Sequence, residues 1–221
     1  MEIEIWSDIQ CPFCYIGKRR FEQALIQFDQ KDQVHITWKS FQLAPDLITD
    51  PAMSTNEYLA QHKNITLSEA ERMSGYVTEM ASGVGLLYDF NKTILANSFK
   101  AHQLSHLAKL SGLQNQLEEN LFKAYFTDGK NIDDIPTLLE IGKETGLNES
   151  EIMHVFEHNQ YADAVRLDIY EASQVGVRGV PFFVFDRKYA ISGAQETSVF
   201  VNVLKQSYEE WLQVTQKTNL H

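Results

Sequence analysis

Ser7-Asp8-Ile9-Gln10-Cys11-Pro12-Phe13-Cys14-Tyr15-Ile16-Gly17 holds both cysteines of the 221-residue chain. They sit as Cys-x-x-Cys between an apolar strand-like run and an amphipathic helix-like run. Two cysteines placed at random would take this spacing roughly once in a hundred such chains. Upstream, Ile3, Ile5 and Trp6 predict a strand. Downstream, Pro12 suits a first helical turn, where its missing N–H is not needed. Ile16, Arg20, Ala24 and Phe28 then fall on one line, with Phe21 and Leu25 beside it, which predicts a helix from about Pro12 to Phe28. Val34-His35-Ile36-Thr37-Trp38 alternates like a second strand.

A cysteine at a helix N-terminus meets unpaired backbone N–H groups and the positive end of the helix dipole, which favour thiolate over thiol. Cys11 therefore reads as the attacking sulfur. Cys14, one turn inward, reads as the thiol that resolves a mixed disulfide. Zinc is the obvious rival for a Cys-x-x-Cys, but a structural site wants four ligands. No second cysteine pair exists, and only His102 and His106, spaced i, i+4, offer a completing pair. Ligand counting thus favours redox chemistry, with neither a metal nor an organic cofactor required.

Composition limits the partners. A formal charge of −11 argues against nucleic acid or an anionic membrane surface, since both need a basic footprint. No apolar run approaches the roughly 18 residues that span a bilayer. Strand-like residues follow Met1 at once, without a basic n-region or apolar h-region, which predicts a cytoplasmic protein. In that reducing compartment a catalytic or sensing cysteine pair is expected over a structural disulfide.

The middle of the chain, from about Asp50 to Gln174, carries almost no strand signal. Ser54-x-x-Glu57 and Thr66-x-x-Glu69 read as capping boxes and Asn148-x-x-Glu151 as a further helix start. Gly83, Gly112, Gly129 and Gly146 stand where helices should end. Five or six helices are expected. Strand patterning returns at Pro181-Phe182-Phe183-Val184-Phe185, with a turn at Asp186-Arg187-Lys188 and a second strand at Tyr189-Ala190-Ile191-Ser192. A last helix spans Gln195 to about Val214. The expected fold is therefore α/β: a thioredoxin-like βαβ…ββα sheet from residues 1–49 and 175–221, interrupted by an all-helical insertion at 50–174.

With that order in place, the chain resembles the DsbA family, and within it the FrnE-like branch of predicted dithiol-disulfide isomerases. The resemblance rests on Ser7 to Gly17, Phe41-Gln42-Leu43-Ala44-Pro45, Asn97-Ser98-Phe99-Lys100-Ala101-His102 and Gly176-Val177-Arg178-Gly179-Val180-Pro181-Phe182-Phe183, and it spans nearly the whole chain. It implies a thiol-disulfide oxidoreductase or isomerase acting on a disulfide-containing peptide or protein, or on a small thiol such as glutathione. It also implies a cis Pro181 against the cysteines, with Val180 presenting its backbone to a substrate strand. Without the resemblance, Pro181 reads as a trans proline opening an edge strand.

Pro12 and Phe13, between the cysteines, face the substrate. Phe13 replaces the His of the strongly oxidising members, and since it donates neither charge nor hydrogen bond, a weaker oxidant is expected. Asn97 and His102 have two readings. In the resembled branch they face the redox centre; on local grounds alone, Asn97 is an N-cap and His102 a packed interface residue. Asp8 reads as an Asx-type turn residue, Phe41, Leu43 and Pro45 as groove wall or core, and Arg178 as solvated. Glu2 and Glu4, alternating with Ile3 and Ile5, suggest a partly exposed edge strand. Two other functions share these features: a glutathione-dependent isomerase or kappa-like transferase, whose members typically keep Ser in place of a Cys pair, and a thioredoxin-fold adaptor.

Overall fold

The computed structural model describes residues 1–218. Strand β1 (Glu2–Ser7) runs into helix α1 (Pro12–Ile26) and then β2 (His35–Ser40), which pairs parallel to β1. Near the C-terminus, β5 (Phe182–Phe185) and β6 (Tyr189–Ser192) form the expected hairpin, followed by the last helix, α9 (Thr197–Thr218). Because β5 pairs antiparallel with β1, the sheet order is β2-β1-β5-β6. This is the interrupted βαβ…ββα arrangement anticipated above.

Alternation along β1 and β5 gives the sheet two distinct faces. Ile3, Ile5, Phe183 and Phe185 point to one side and are fully buried there with Phe21 of α1 and Phe200 of α9. Phe183 meets Phe21 and Phe200 at ring-centroid distances of 5.5 and 4.7 Å. On the other side, Trp6 packs with Phe182, Val184, Ala172 and Val177.

β1 is an interior strand, which corrects the edge-strand reading; Glu2 at its start is exposed as expected, and Glu4 is not. Glu4 is only 6% exposed. It lies on the Trp6 face, where Arg187 from the hairpin turn grips it with two hydrogen bonds of 3.0 and 2.9 Å. Glu4 is thus neutralised by a side chain 183 residues away and not by solvent.

Between β2 and β5 the described residues form seven α-helices: α2 (Thr55–Lys63), α3 (Leu67–Ser82), α4 (Phe99–Leu110), α5 (Gln114–Phe126), α6 (Ile135–Thr145), α7 (Glu149–His158) and α8 (Ala162–Gln174). Both capping boxes are present, at Ser54 and Thr66, and Asn148 caps α7. The interval also contains a two-stranded antiparallel ribbon, β3 (Asp50–Ser54) with β4 (Ile94–Leu95). Pro51 and the two-residue length of β4 hide it from strand patterning. Helix α4 is central to the interval, touching α5, α6, α7, α8 and β2, which accounts for apolar residues on both of its faces.

Candidate active site

The loop from Asp8 to Cys11 delivers the first cysteine to the start of α1. Asp8 accepts a hydrogen bond from the Cys11 amide at 2.9 Å through its carbonyl and one from the Gln10 amide at 3.2 Å through Oδ1, the Asx-type turn expected of it. Cys11 is the N-cap residue in an extended conformation, and its carbonyl accepts from the Cys14 amide at 3.0 Å. Pro12 opens the helix. From the opposite side Tyr88 donates its hydroxyl hydrogen to the Pro12 carbonyl at 2.7 Å, while its ring stacks on Phe126 and Tyr15. Sequence reasoning missed Tyr88, since nothing local marks an aromatic residue after α3 as a brace for a turn 76 residues earlier.

Both cysteines are free thiols. Cys11 is 4% exposed and Cys14 is fully buried. The Cys11 Sγ–H donates to the Val180 carbonyl at 3.4 Å, and the Val180–Pro181 peptide bond is cis. Burial pushes the Cys14 thiol well above its ordinary value; the Cys11 sulfur adds to this, and the Ser7 hydroxyl and Asp8 backbone beside Cys14 oppose it. Cys14 is therefore a protonated thiol at rest. Phe13 stands 38% exposed at the rim.

Gly17 permits the close approach of α1 to the proline loop. A Cβ at this position would lie 2.9 Å from Pro181 Cγ and 3.5 Å from Phe183 Cζ. The motif's glycine is a packing requirement.

The sequence-selected residues divide into two groups. Cys11, Pro12, Phe13, Cys14, Val180 and Pro181 converge. Asn97 and His102 do not join them on the exposed side. Asn97 Oδ1 accepts from Gln42 Nε2 at 3.0 Å and the Phe99 amide at 2.9 Å, while Nδ2 donates to the Pro45 and Leu47 carbonyls. Asn97 thereby clasps the loop after β2 to the start of α4, where Ser98 is the N-cap position. It also lines a cleft of about 680 Å³ with Pro45, Leu47, Phe99 and Gln103, to which neither cysteine contributes.

His102 is 2% exposed, with Nε2 3.6 Å from Asp8 Oδ1. Burial works to lower its pKa, but Asp8, with Glu118 and the Phe41 carbonyl, outweighs burial and holds it above the ordinary value. His106 turns to a different carboxylate, Asp168, at 3.1 Å. The two rings thus address different partners. Among the described residues no group of three or more His, Cys, Asp or Glu side chains is placed to hold a metal ion. Arg178 is exposed, as expected.

Comparison with known proteins agrees with this geometry. The model of the DSBA-like thioredoxin domain matches residues 2–205. A probable DsbA oxidoreductase from Streptomyces coelicolor is 37% identical and superposes with a TM-score of 0.89, over 95% of this chain and 91% of its own. The Bacillus subtilis protein YwbO is 27% identical over 208 residues, 90% of this chain and 94% of that protein. Pseudomonas aeruginosa DsbM, a cytosolic disulfide reductase solved with GSH, shares the fold at 15% identity, with a TM-score of 0.63 over 98% of this chain and 100% of its own.

Proposed function

The chain belongs to the DSBA-like thioredoxin domain family, and from that membership and the placement of Cys11 we propose dithiol-disulfide exchange through Cys11 and Cys14 on a disulfide-containing peptide or small thiol. The observation that carries the reading is the Cys11 thiol at the first turn of α1, hydrogen-bonded to the Val180 carbonyl, with Cys14 sealed beneath it. The Cys11 thiolate attacks one sulfur of the substrate disulfide. That S–S bond breaks, its electron pair leaves with the departing thiolate, and a mixed disulfide remains on Cys11. Cys14 then loses its proton and attacks Cys11 Sγ, releasing the second substrate thiolate and closing the Cys11–Cys14 disulfide. The reverse sequence oxidises a dithiol, and release before Cys14 attacks gives isomerisation.

Ionisation of Cys11 has a second consequence. A thiolate cannot donate, so the Val180 carbonyl is freed to accept from a main-chain N–H of the substrate, pairing it as an added strand beside Pro181. Pro12 and Phe13 form the other wall of this site. Two intact cysteines favour redox chemistry over a glutathione-dependent isomerase or transferase, and they suit a reducing cytoplasm. The GSH complex of DsbM supports a small thiol as one substrate or reductant. Phe13 and the run from Gly176 to Phe183 favour the FrnE-like branch.

The test is the reduction potential of the pair, titrated against glutathione buffers and read by alkylation and mass. A reversible two-electron couple between about −270 mV, thioredoxin-like, and about −120 mV, DsbA-like, is expected. In parallel, Cys14→Ser should accumulate a mixed disulfide on Cys11. If no intramolecular disulfide forms and glutathione only caps Cys11, the glutathione-dependent reading replaces this one.

A further inference from the structure

The first turn of α1 has few donors to offer the Cys11 sulfur. Cys11 is the N-cap residue, and an N-cap side chain accepts from the amides two and three positions on, here Phe13 and Cys14. Pro12, next in line, has no N–H. The Cys14 amide is already given to the Cys11 carbonyl at 3.0 Å. That leaves the Phe13 amide, which has no acceptor among the described residues. In the thiol form Cys11 makes no cap hydrogen bond, and its Sγ–H is turned to the Val180 carbonyl. Once the sulfur ionises it can only accept, and the Phe13 N–H is the free donor of the turn.

The same peptide unit is engaged at its other end. Its carbonyl belongs to Pro12, and Tyr88 donates to that oxygen at 2.7 Å. A peptide bond is a conjugated unit. A donor on its oxygen draws electron density out of its nitrogen, which makes the N–H a stronger donor in turn. The run of Tyr88 O–H, Pro12 carbonyl, Phe13 N–H and Cys11 sulfur is therefore one polarised chain that ends on the reacting atom.

Tyr88 is held for this contact from α5. It is 8% exposed, and its ring stacks on Phe126 at a centroid distance of 4.7 Å and meets Phe90 edge-on at 5.8 Å. On either side of it, the Leu87 carbonyl accepts from Thr127 Oγ1 at 2.6 Å and the Asp89 amide donates to the Phe126 carbonyl at 2.8 Å, so the segment is pinned to the C-terminal end of α5. Burial, followed by the Cys11 sulfur, Tyr15 and Cys14, pushes the phenol well above its ordinary value, and Arg19 opposes this without reversing it. Tyr88 is thus a protonated donor while Cys11 ionises. Tyr15 and Arg19, the other titratable side chains around it, each donate to Glu119 at 2.6 Å and do not compete for the Pro12 carbonyl.

We propose that Tyr88 is a positioning residue for the exchange reaction: through the Pro12–Phe13 peptide it strengthens the amide left to stabilise the Cys11 thiolate, and so raises both the reactivity of Cys11 and the oxidising power of the pair. The inference rests on the exchange chemistry proposed above. The direction follows from linkage. A favoured thiolate favours the reduced form, so the contact makes the protein a stronger oxidant than it would be without it.

The experiment compares Tyr88→Phe with the unaltered full-length protein. The substitution keeps the stacked ring and removes only the O–H. The pH dependence of Cys11 alkylation by iodoacetamide gives its acid dissociation constant, and glutathione titration gives the potential. Weakening a charge-assisted hydrogen bond by the share that such coupling supplies, about 10–30%, makes the thiolate about threefold less favoured. The Cys11 constant should fall by that factor, and the potential by about 14 mV at roughly 30 mV per tenfold change. Phe90→Leu is the packing control. It loosens the same segment without touching the O–H, and should lower the urea midpoint while leaving the Cys11 constant where it was. An unchanged Cys11 constant in Tyr88→Phe, or an equal shift in Phe90→Leu, would overturn the proposal. Should Tyr88→Phe fail to fold, NMR of the unaltered protein decides: the Phe13 amide proton should move downfield as Cys11 ionises, and an amide proton that stays in place overturns the proposal. A shifted Cys11 constant in a protein whose cysteines form no reversible disulfide would uphold the role of Tyr88 and remove the exchange reading instead.

Discussion

Replacing Gly17 with Ala sets two effects of opposite sign against each other. In an exposed helix interior the change would stabilise by about 0.5–1 kcal/mol, because glycine loses more backbone entropy on folding. Gly17, however, faces the proline loop. Its new Cβ would stand 2.9 Å from Pro181 Cγ, 3.5 Å from Phe183 Cζ and 3.6 Å from Ala194 Cα. Pro181 can move its Cγ only by changing ring pucker, a shift of a few tenths of an ångström, and Phe183 and Ala194 are themselves packed against α1. Overpacking of this kind costs about 1–3 kcal/mol. The net expectation is a loss of about 1–2 kcal/mol, seen as a lower urea midpoint with an unchanged denaturant slope. The Val180 carbonyl moves with the loop, so the alkylation rate of Cys11 should change as well. A midpoint that rises by the propensity gain would refute the reasoning, for it would mean that α1 and Pro181 are not in contact.

Phe13→His should raise the reduction potential, since a cationic or donating ring at the helix start stabilises the thiolate; roughly 30 mV per tenfold change in thiolate stability is the scale, read by glutathione titration. Lys18, whose side chain is 2% exposed, sits 2.5 Å from Glu22 and 2.7 Å from Glu119 and fastens α1 to α5. Lys18→Met should destabilise by about 1–3 kcal/mol in urea unfolding, less than for a fully desolvated pair because both carboxylates keep some water and Arg19 still bridges them. Two buried acids should give opposite pH trends when unfolding midpoints are compared across acid pH. Burial holds Glu118 above its ordinary 4.5, so its ionisation is delayed in the folded state; Glu118→Gln should gain on the unaltered protein as pH climbs from that value through the raised one. Burial would raise Asp168 also, but His106, the Ser40 amide and Lys39 outweigh it and hold Asp168 below its ordinary 3.8. Asp168→Asn should therefore be at its greatest disadvantage above that value, and the gap should close as pH falls through the depressed one.

Periodicity and turn chemistry determined a great deal unaided. The βαβ start, the hairpin at Phe182–Ser192, the capping boxes at Ser54 and Thr66 and the cysteine pair at the head of α1 all depend on residues within a few positions of one another, so short-range pattern suffices to read them. What the tertiary structure decided was which distant groups meet. Glu4 looked solvated because its neighbours alternate, yet Arg187 and the neighbouring strands enclose it. Asn97 turned out to be saturated by the loop after β2, and His102 to be buried beside Asp8, since a residue's side of a helix is legible in sequence but the element packed against that side is not. Gly17 appeared as motif and proved to be clearance for Pro181. Tyr88 and Glu118 left no local signal at all, because a hydrogen bond across 76 residues or an unpartnered carboxylate oxygen exists only once helices and sheet have closed on one core.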